Sequence, residues 1–73
     1  MLAAAALASA GYDVVAVALG CNVKGNIGVS GEHIYHVPGQ RFYSETRINL
    51  LKGERWFCSE EAARDAGWRK AKW

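Results

Sequence analysis

The pattern of apolar and polar positions divides the chain into an apolar N-terminal segment, residues 1–20, and a mixed segment, residues 21–73. The first segment opens with an alanine-rich run, which favours a short apolar helix because alanine is the best helix former. Two further interpretations compete with it. Ala8-Ser9-Ala10 fits the cleavage pattern of a secretory signal, although no basic residue precedes the run, and a membrane span would be interrupted by Asp13. The β-branched stretch at residues 14–19 also suits a strand.

Alternation of residue types predicts two short strands in the second segment. The first covers residues 32–37, and the second is the aromatic stretch at residues 55–58, which follows a Lys-Gly-Glu turn. Successive side chains of a strand point to opposite faces of its sheet. One face of the first strand is therefore expected to carry Ile34 and His36, and the other His33, Tyr35 and Val37.

Glycines and the single proline indicate turns on both sides of the first strand. Lys24-Gly25-Asn26 lies in a glycine-rich stretch and is predicted to form a tight turn between two short extended pieces. Pro38-Gly39 has the turn chemistry that ends the strand. Residues 41–51 show no regular period, so the pattern assigns them neither helix nor strand.

The strongest local signals surround a C-terminal helix, predicted over residues 60–66. Ser59 is a favourable N-cap, and two glutamates lie in the first turn, where the helix dipole favours negative charge. Gly67 provides a left-handed C-cap, after which Trp68 is expected to fold back onto the core. Strands followed by one helix predict a small α+β domain with short antiparallel strands.

Composition supports a folded domain without identifying its activity. The chain has 73 residues, of which 51% are hydrophobic, including three Trp, three Tyr and two Phe. A domain of this size has a marginal core, so an additional covalent or metal link is expected. The net charge of +2 permits an anionic partner but is weaker than that of most nucleic-acid-binding domains.

Two cysteines and two histidines leave three interpretations open. Cys21 and Cys58 with His33 and His36 would supply a zinc site, but neither cysteine has a nearby partner, and a strand sends the two histidines to opposite faces. A Cys21–Cys58 disulfide would close a loop of roughly 38 residues and stabilise the fold by about 4 kcal/mol in the chain-entropy model. It would also require an oxidising compartment. The third possibility is a pair of buried, reduced thiols.

No arrangement typical of an active site is visible in the sequence. Cys58 or Ser59 could be aligned with His36 and Glu32, but the strand and the helix cap already give the first two residues structural roles. The glycines before Ile34 lack the Gly-Lys-Ser/Thr ending of a phosphate-binding loop. We therefore expect no catalysis and no cofactor or metal.

Basic and aromatic residues suggest a binding surface. Such residues can stack on bases and contact phosphates. The alternative is a set of core aromatics fringed by solvated charges. The candidates are Lys24, Arg41, Tyr43, Arg47, Trp68 and Arg69, of which all but Trp68 are predicted as binding residues.

Several short motifs together resemble the sunset domain, a small module near the C-terminus of exported thermonuclease-like proteins, some of them labelled succinoglycan biosynthesis proteins. The resemblance covers residues 21–73. Its motifs are Lys24-Gly25-Asn26, Ile34-Tyr35-His36-Val37-Pro38-Gly39, Tyr43, Thr46, Gly53-Glu54-Arg55-Trp56-Phe57-Cys58-Ser59-Glu60 and Ala66-Gly67-Trp68-Arg69.

The C-terminal motifs are also similar to the zinc module of adaptive-response DNA methyltransferases. Those modules carry a cysteine after the histidine motif and a Cys-x-x-Cys pair at the end. Gln40 and Lys70-Ala71-Lys72 stand at these places here, so no metal role is carried over.

The sunset resemblance implies a noncatalytic accessory module, secreted or periplasmic, that binds nucleic acid or another polyanion beside an upstream nuclease domain. A purely structural or protein-interaction module, with no nucleic-acid binding, is the alternative. A stable membrane span is not expected in either case.

Overall fold

A computed structural model describes residues 19–73, and the predictions made for residues 1–18 lie outside them. The described chain forms four strands, a short 3-10 helix at Leu50–Lys52 and one α-helix. The predicted α+β fold with a C-terminal helix is thus confirmed. The elements are β1 (Val23–Ile27), β2 (His33–His36), β3 (Arg55–Phe57), α1 (Glu60–Asp65) and β4 (Arg69–Lys70).

The strands form one sheet in the order β3-β1-β2-β4. The central strand β1 is antiparallel to both β2 and β3, while β4 runs parallel to β2. The two strands predicted from the sequence are therefore present as β2 and β3, on either side of β1. Among the described residues, no helix has the length and apolar character needed to cross a membrane.

The prediction of a tight turn at Lys24-Gly25-Asn26 is wrong, because these residues form the middle of β1. Gly25 is required there by close packing. A Cβ atom at this position would lie 2.8 Å from the carbonyl oxygen of Arg55 and 2.8 Å from the ring of Phe57. Glycine therefore lets the central strand approach β3 and the core more closely than an L side chain would permit.

The face of the sheet covered by α1, which we call the helix face, carries the hydrophobic core. Tyr35 is 1% exposed and Trp68 is 7% exposed. The Trp68 ring makes edge contacts with Phe57 at 5.3 Å and with His33 at 4.6 Å between ring centroids. The expectation that Trp68 folds back onto the core is confirmed. The core cluster consists of Val23, Tyr35, Phe57, Ala63 and Trp68.

Both ends of α1 follow the local sequence signals. The Ser59 hydroxyl accepts a 3.0 Å hydrogen bond from the Ala62 amide, which satisfies one of the free N–H groups of the first turn. Gly67 has a φ angle of 92°, the left-handed conformation predicted for it. The Trp68 amide then donates to the Ala63 carbonyl at 3.0 Å, so the chain turns sharply back along the helix.

A polar network fixes α1 to the sheet at the edge of this core. The Tyr35 hydroxyl donates to the Glu60 carboxylate at 3.1 Å and accepts from Arg64 at 2.9 Å. Lys70 of β4 lies 3.3 Å from the same carboxylate. The hydrogen bonds from Tyr35 and Lys70 favour the ionised carboxylate and lower the pKa of Glu60.

Cys21 and Cys58 form a disulfide, which confirms that interpretation over a zinc site or free thiols. Cys21 precedes β1 and Cys58 follows β3, so the link closes the end of the ladder in which Val23 faces Phe57. Disulfides persist in oxidising compartments. The protein is therefore suited to an oxidising, extracellular-type environment.

Candidate nucleic-acid interface

The face of the sheet opposite α1, which we call the loop face, is covered by the irregular segment of residues 37–54. Its main anchor is Lys24, whose ammonium group donates to the carbonyl oxygens of Tyr43 at 2.8 Å and Thr46 at 2.9 Å. The same group lies 4.3 Å from the centre of the Tyr43 ring. The Tyr43 hydroxyl donates to the Asn22 carbonyl at 2.6 Å, so sheet and segment are joined from both sides.

A buried carboxylate forms the second anchor. Glu54 is 3% exposed and accepts hydrogen bonds from the Asn26 side chain at 2.8 Å and the Ile27 amide at 3.0 Å. Its other oxygen accepts from the Asn49 amide at 2.9 Å. Three N–H donors thus satisfy a charge that would be costly to bury alone.

An open groove of about 420 Å³ lies on the loop face beside β2 and β4. Ile34 and Arg69 are paired in the register of these two strands, which brings both side chains to the groove. Alternation along β2 adds Glu32 and His36 to the same wall. The complete lining is Glu32, Ile34, His36, Arg69, Ala71, Lys72 and Trp73.

The charges in the groove are unevenly balanced. The Arg69 guanidinium lies 3.3 Å from the Glu32 carboxylate, and both side chains are about half exposed. This ion pair leaves Lys72 as the cation without an ion-pair partner among the described groove residues. The groove is therefore mildly cationic, and its charge is concentrated towards residues 69–72.

Trp73 supplies an exposed aromatic ring to the groove lining and is 65% exposed. Its backbone is anchored, because the Arg41 amide donates to the Trp73 carbonyl at 2.6 Å. An indole exposed to this extent is accessible to a nucleobase, and aromatic side chains of nucleic-acid-binding proteins stack on bases in this way.

Gln40 joins the segment carrying Lys72 and Trp73 to the end of β2. Its side-chain oxygen accepts a 2.9 Å hydrogen bond from the Val37 amide, and its side-chain nitrogen donates to the Ala71 carbonyl at 2.9 Å. The Ala71 amide in turn donates to the Tyr35 carbonyl at 2.8 Å. One amide side chain thus bridges the two backbone segments that form this wall of the groove.

His36 lies between the groove and the Lys24 anchor. Its Nδ1 atom is buried without a hydrogen-bond partner among the described residues. Burial, and then the positive charge of Lys24 on the neighbouring strand, lower the pKa of His36 below its ordinary value of 6.5. The imidazole is therefore neutral at pH 7 and adds no charge to the groove.

The structure separates the predicted binding residues into two groups. Arg69 lines the groove, and the backbone of Arg41 supports the groove at Trp73. Arg47 is exposed but does not line it, whereas Lys24 and Tyr43 are engaged with each other inside the fold. The binding role of these five residues stays a prediction, with Arg69 the one best placed for it.

Sequence reasoning missed Gln40, Lys72 and Trp73 as site residues. Gln40 entered only as a departure from a cysteine pattern, and Lys72 and Trp73 follow the last element with no local pattern of their own. The available signal was the basic-aromatic composition of residues 68–73. Composition alone, however, does not say which of those rings is buried.

The groups considered for metal binding and nucleophilic catalysis are either used structurally or lie on opposite faces of the sheet. Cys58 is in the disulfide, and Ser59 caps α1. The His33 ring packs against Trp68 on the helix face, while His36 lines the groove on the loop face. Within residues 19–73, no group of three or more His, Cys, Asp or Glu residues is arranged to hold a metal ion.

No protein-family model, curated protein or solved structure matches this chain. The resemblance to the sunset domain therefore stays an expectation based on its motifs. The arguments about function that follow depend on the groove.

Proposed function

We propose that residues 21–73 form a noncatalytic accessory module of a nuclease-like protein, and that the groove binds nucleic acid or another polyanion. The observation that carries this proposal is the meeting of Arg69, Lys72 and the exposed Trp73 ring in one open groove. Guanidinium and ammonium groups bind phosphate oxygens, and an exposed indole stacks on bases.

The charge balance favours a positioning role over tight capture. Phosphate contacts supply most of the nonspecific affinity for nucleic acids, and each adds to the dependence on salt. With Arg69 shared with Glu32, the groove offers few such contacts. Weak binding of this kind suits a module that raises the local concentration of a strand near a second, catalytic domain.

The environment implied by the disulfide supports the rest of the proposal. We propose that the protein is secreted or periplasmic, in agreement with the exported proteins that carry the sunset domain. Its nuclease domain would lie upstream of the module. The partner in the groove would then be extracellular or periplasmic nucleic acid.

The experiment is a fluorescence-anisotropy titration of a labelled single-stranded oligonucleotide at several salt concentrations. Lys72→Ala should weaken binding and reduce the slope of log affinity against log salt by about 0.7, the value for one lost phosphate contact. Lys52→Ala is the matched control, because it removes the same charge from an exposed site outside the groove. Its salt slope should equal that of the parent protein.

Absence of binding at low salt would overturn the proposal and favour the structural or protein-interaction alternative. Turnover of nucleic acid by the purified chain, lost in His36→Ala, would overturn its noncatalytic part. Equal effects of Lys72→Ala and Lys52→Ala on affinity and salt slope would show that binding depends on diffuse surface charge, and would contradict a binding site in the groove.

A further inference from the structure

We infer that the groove is a site for one unpaired base, so that its ligand is single-stranded nucleic acid, with Gln40 positioning the wall on which that base stacks. This inference rests on the proposed function and narrows its ligand class. It predicts that the groove binds single strands in preference to duplexes and to polyanions without bases.

The size of the groove is the first argument for a single-stranded ligand. Its volume of about 420 Å³ is in the lower part of the range of small-ligand pockets, roughly 300–1,000 Å³. A duplex presents phosphates and base edges over a much wider surface. The groove therefore accommodates one nucleotide unit of a flexible strand better than it accommodates a duplex.

The mixture of apolar and charged lining residues is the second argument, because it favours a ligand that carries bases. The lining combines the exposed Trp73 ring with aliphatic surface from Ile34 and Ala71, in addition to the charged groups. The neutral His36 lies on the same wall. A ligand of phosphates alone would leave this apolar surface without a partner, whereas the flat face of a base would cover it.

The positions of the charges are the third argument, because they restrict where a phosphate can bind in the groove. Glu32 lies beside Arg69 on β2 and β4, and its carboxylate repels a phosphate brought to that part of the groove. Lys72 precedes Trp73 in the sequence and forms no ion pair with a groove side chain. A base on the indole with its phosphate at Lys72 satisfies both groups, which a uniformly charged polymer does not.

Stacking is favoured when the backbone that carries the indole is held in place, and Gln40 contributes to this. It does not line the groove, but its hydrogen bonds to Val37 and Ala71 hold the segment that leads to Trp73. The Arg41–Trp73 backbone bond lies next to it along the chain. Loss of the Gln40 amide should loosen the aromatic wall and leave the charges of Arg69 and Lys72 unchanged.

The test compares three competitors for a labelled eight-residue oligothymidylate at matched phosphate concentration. These are the unlabelled oligothymidylate, a blunt-ended DNA duplex and inorganic polyphosphate. Because one base would stack on the exposed indole, the parent protein should prefer the single strand by about tenfold or more. Trp73→Leu should remove most of that preference, and Trp73→Phe should keep much of it.

Gln40→Met tests the role of Gln40 in positioning the segment that carries Trp73, because it removes both side-chain hydrogen bonds and adds no charge. It should lower the preference for the single strand several-fold while binding of polyphosphate stays near the parent value. A merely structural role would weaken all ligands equally or lower the melting temperature without changing their ratio.

Equal binding of all three competitors, insensitive to Trp73→Leu, would overturn the inference and leave the proposed polyanion function standing. A preference lost in Trp73→Leu but kept in Gln40→Met would overturn the role given to Gln40. Absence of any binding at low salt is the separate result that overturns the proposed function itself.

Discussion

The two faces of the sheet are built by different means. The helix face is an apolar core in which Phe57, Trp68 and their neighbours pack under α1. The loop face is held largely by the hydrogen bonds that Lys24 and Glu54 make between the sheet and the irregular segment. One large apolar side chain, Trp56, is also buried on this face, where it is paired with Lys24 in the sheet. Apolar packing therefore dominates one side, and polar anchors carry a larger share of the other.

This difference explains where the candidate site lies. A packed apolar face leaves no concave surface, since close packing excludes voids larger than a solvent molecule. A face held by a few polar anchors leaves space between them, and the groove occupies that space beside β2 and β4. Stability and binding are thus assigned to opposite sides of a sheet only four strands wide.

The disulfide links the chain just before β1 to the chain just after β3, and its removal is expected to have the largest effect. Replacement of Cys21 and Cys58 by serine should destabilise the protein by about 4 kcal/mol, since the unfolded chain regains the entropy of an open loop. Denaturant unfolding with and without reductant measures this. The serine variant should be insensitive to reductant, and a parent protein equally insensitive would contradict the expectation.

On the helix face, Gly25→Ala should cost about 2 kcal/mol through overpacking. The added Cβ would meet the Arg55 carbonyl and the Phe57 ring at 2.8 Å. Gly28→Ala is the matched control, because its nearest neighbour would be 3.8 Å away. Equal unfolding midpoints for the two variants would show that close packing does not explain the glycine in β1.

On the loop face, Lys24→Met should cost about 1 kcal/mol by leaving the Tyr43 and Thr46 carbonyls without this donor. It should also raise the pKa of His36, because one cause of the lowered value is the Lys24 charge. Denaturant unfolding and an NMR titration of the imidazole measure the two effects. Lys52→Met serves as the control, and an unchanged His36 pKa would contradict the assignment.

The free energy of unfolding should fall in two separate pH ranges, each set by a titrating group on one face of the sheet. The folded state lowers the pKa of His36, so its contribution is present above the unfolded value of 6.5 and is lost as the pH falls through the lower folded value. The folded state also lowers the pKa of Glu60, on the helix face, so the contribution of Glu60 to stability is lost as the pH falls below its ordinary pKa of 4.5. Unfolding across pH should show the first loss absent in His36→Gln and the second absent in Glu60→Gln.

A single loss that both variants abolish would mean that the two faces titrate as one unit. That result would contradict the separation of the polar anchors from the core.

The smallest effect is expected from the groove ion pair. Glu32→Gln should leave stability nearly unchanged, since exposed ion pairs contribute little. It should tighten oligonucleotide binding about threefold at low salt, because it frees Arg69 and removes a carboxylate that repels phosphate. Anisotropy titration at two salt concentrations measures this, and weaker binding would show that Glu32 itself contacts the ligand.

Features encoded within a few consecutive residues were predictable. The helix limits depend on Ser59 and Gly67, both of which act on their own turn of backbone. The disulfide joins residues 37 apart and is not a local feature, but it was predictable because the chain has two cysteines, which leave one possible pair, and a small core. Burial of Trp68 followed from the sharp reversal after the helix.

Other features that depend on contacts between distant segments were not predictable. Gly25 carries the same local signal whether it forms a turn or a close approach between strands, and only the ring of Phe57 and the strand β3 decide between them. Lys24 resembled a surface cation until the fold placed two carbonyl groups beside it. The groove likewise requires β4, a two-residue strand identified only by its pairing with β2.

The most direct test of the division between the faces is an amide-resolved NMR titration of the protein with unlabelled oligothymidylate at low salt. We predict shifts at Ile34, His36, Arg69, Lys72 and Trp73, which line the groove, with the α1 amides unchanged. Shifts concentrated on α1, or no shifts at saturating oligonucleotide, would contradict the assignment of binding to the loop face.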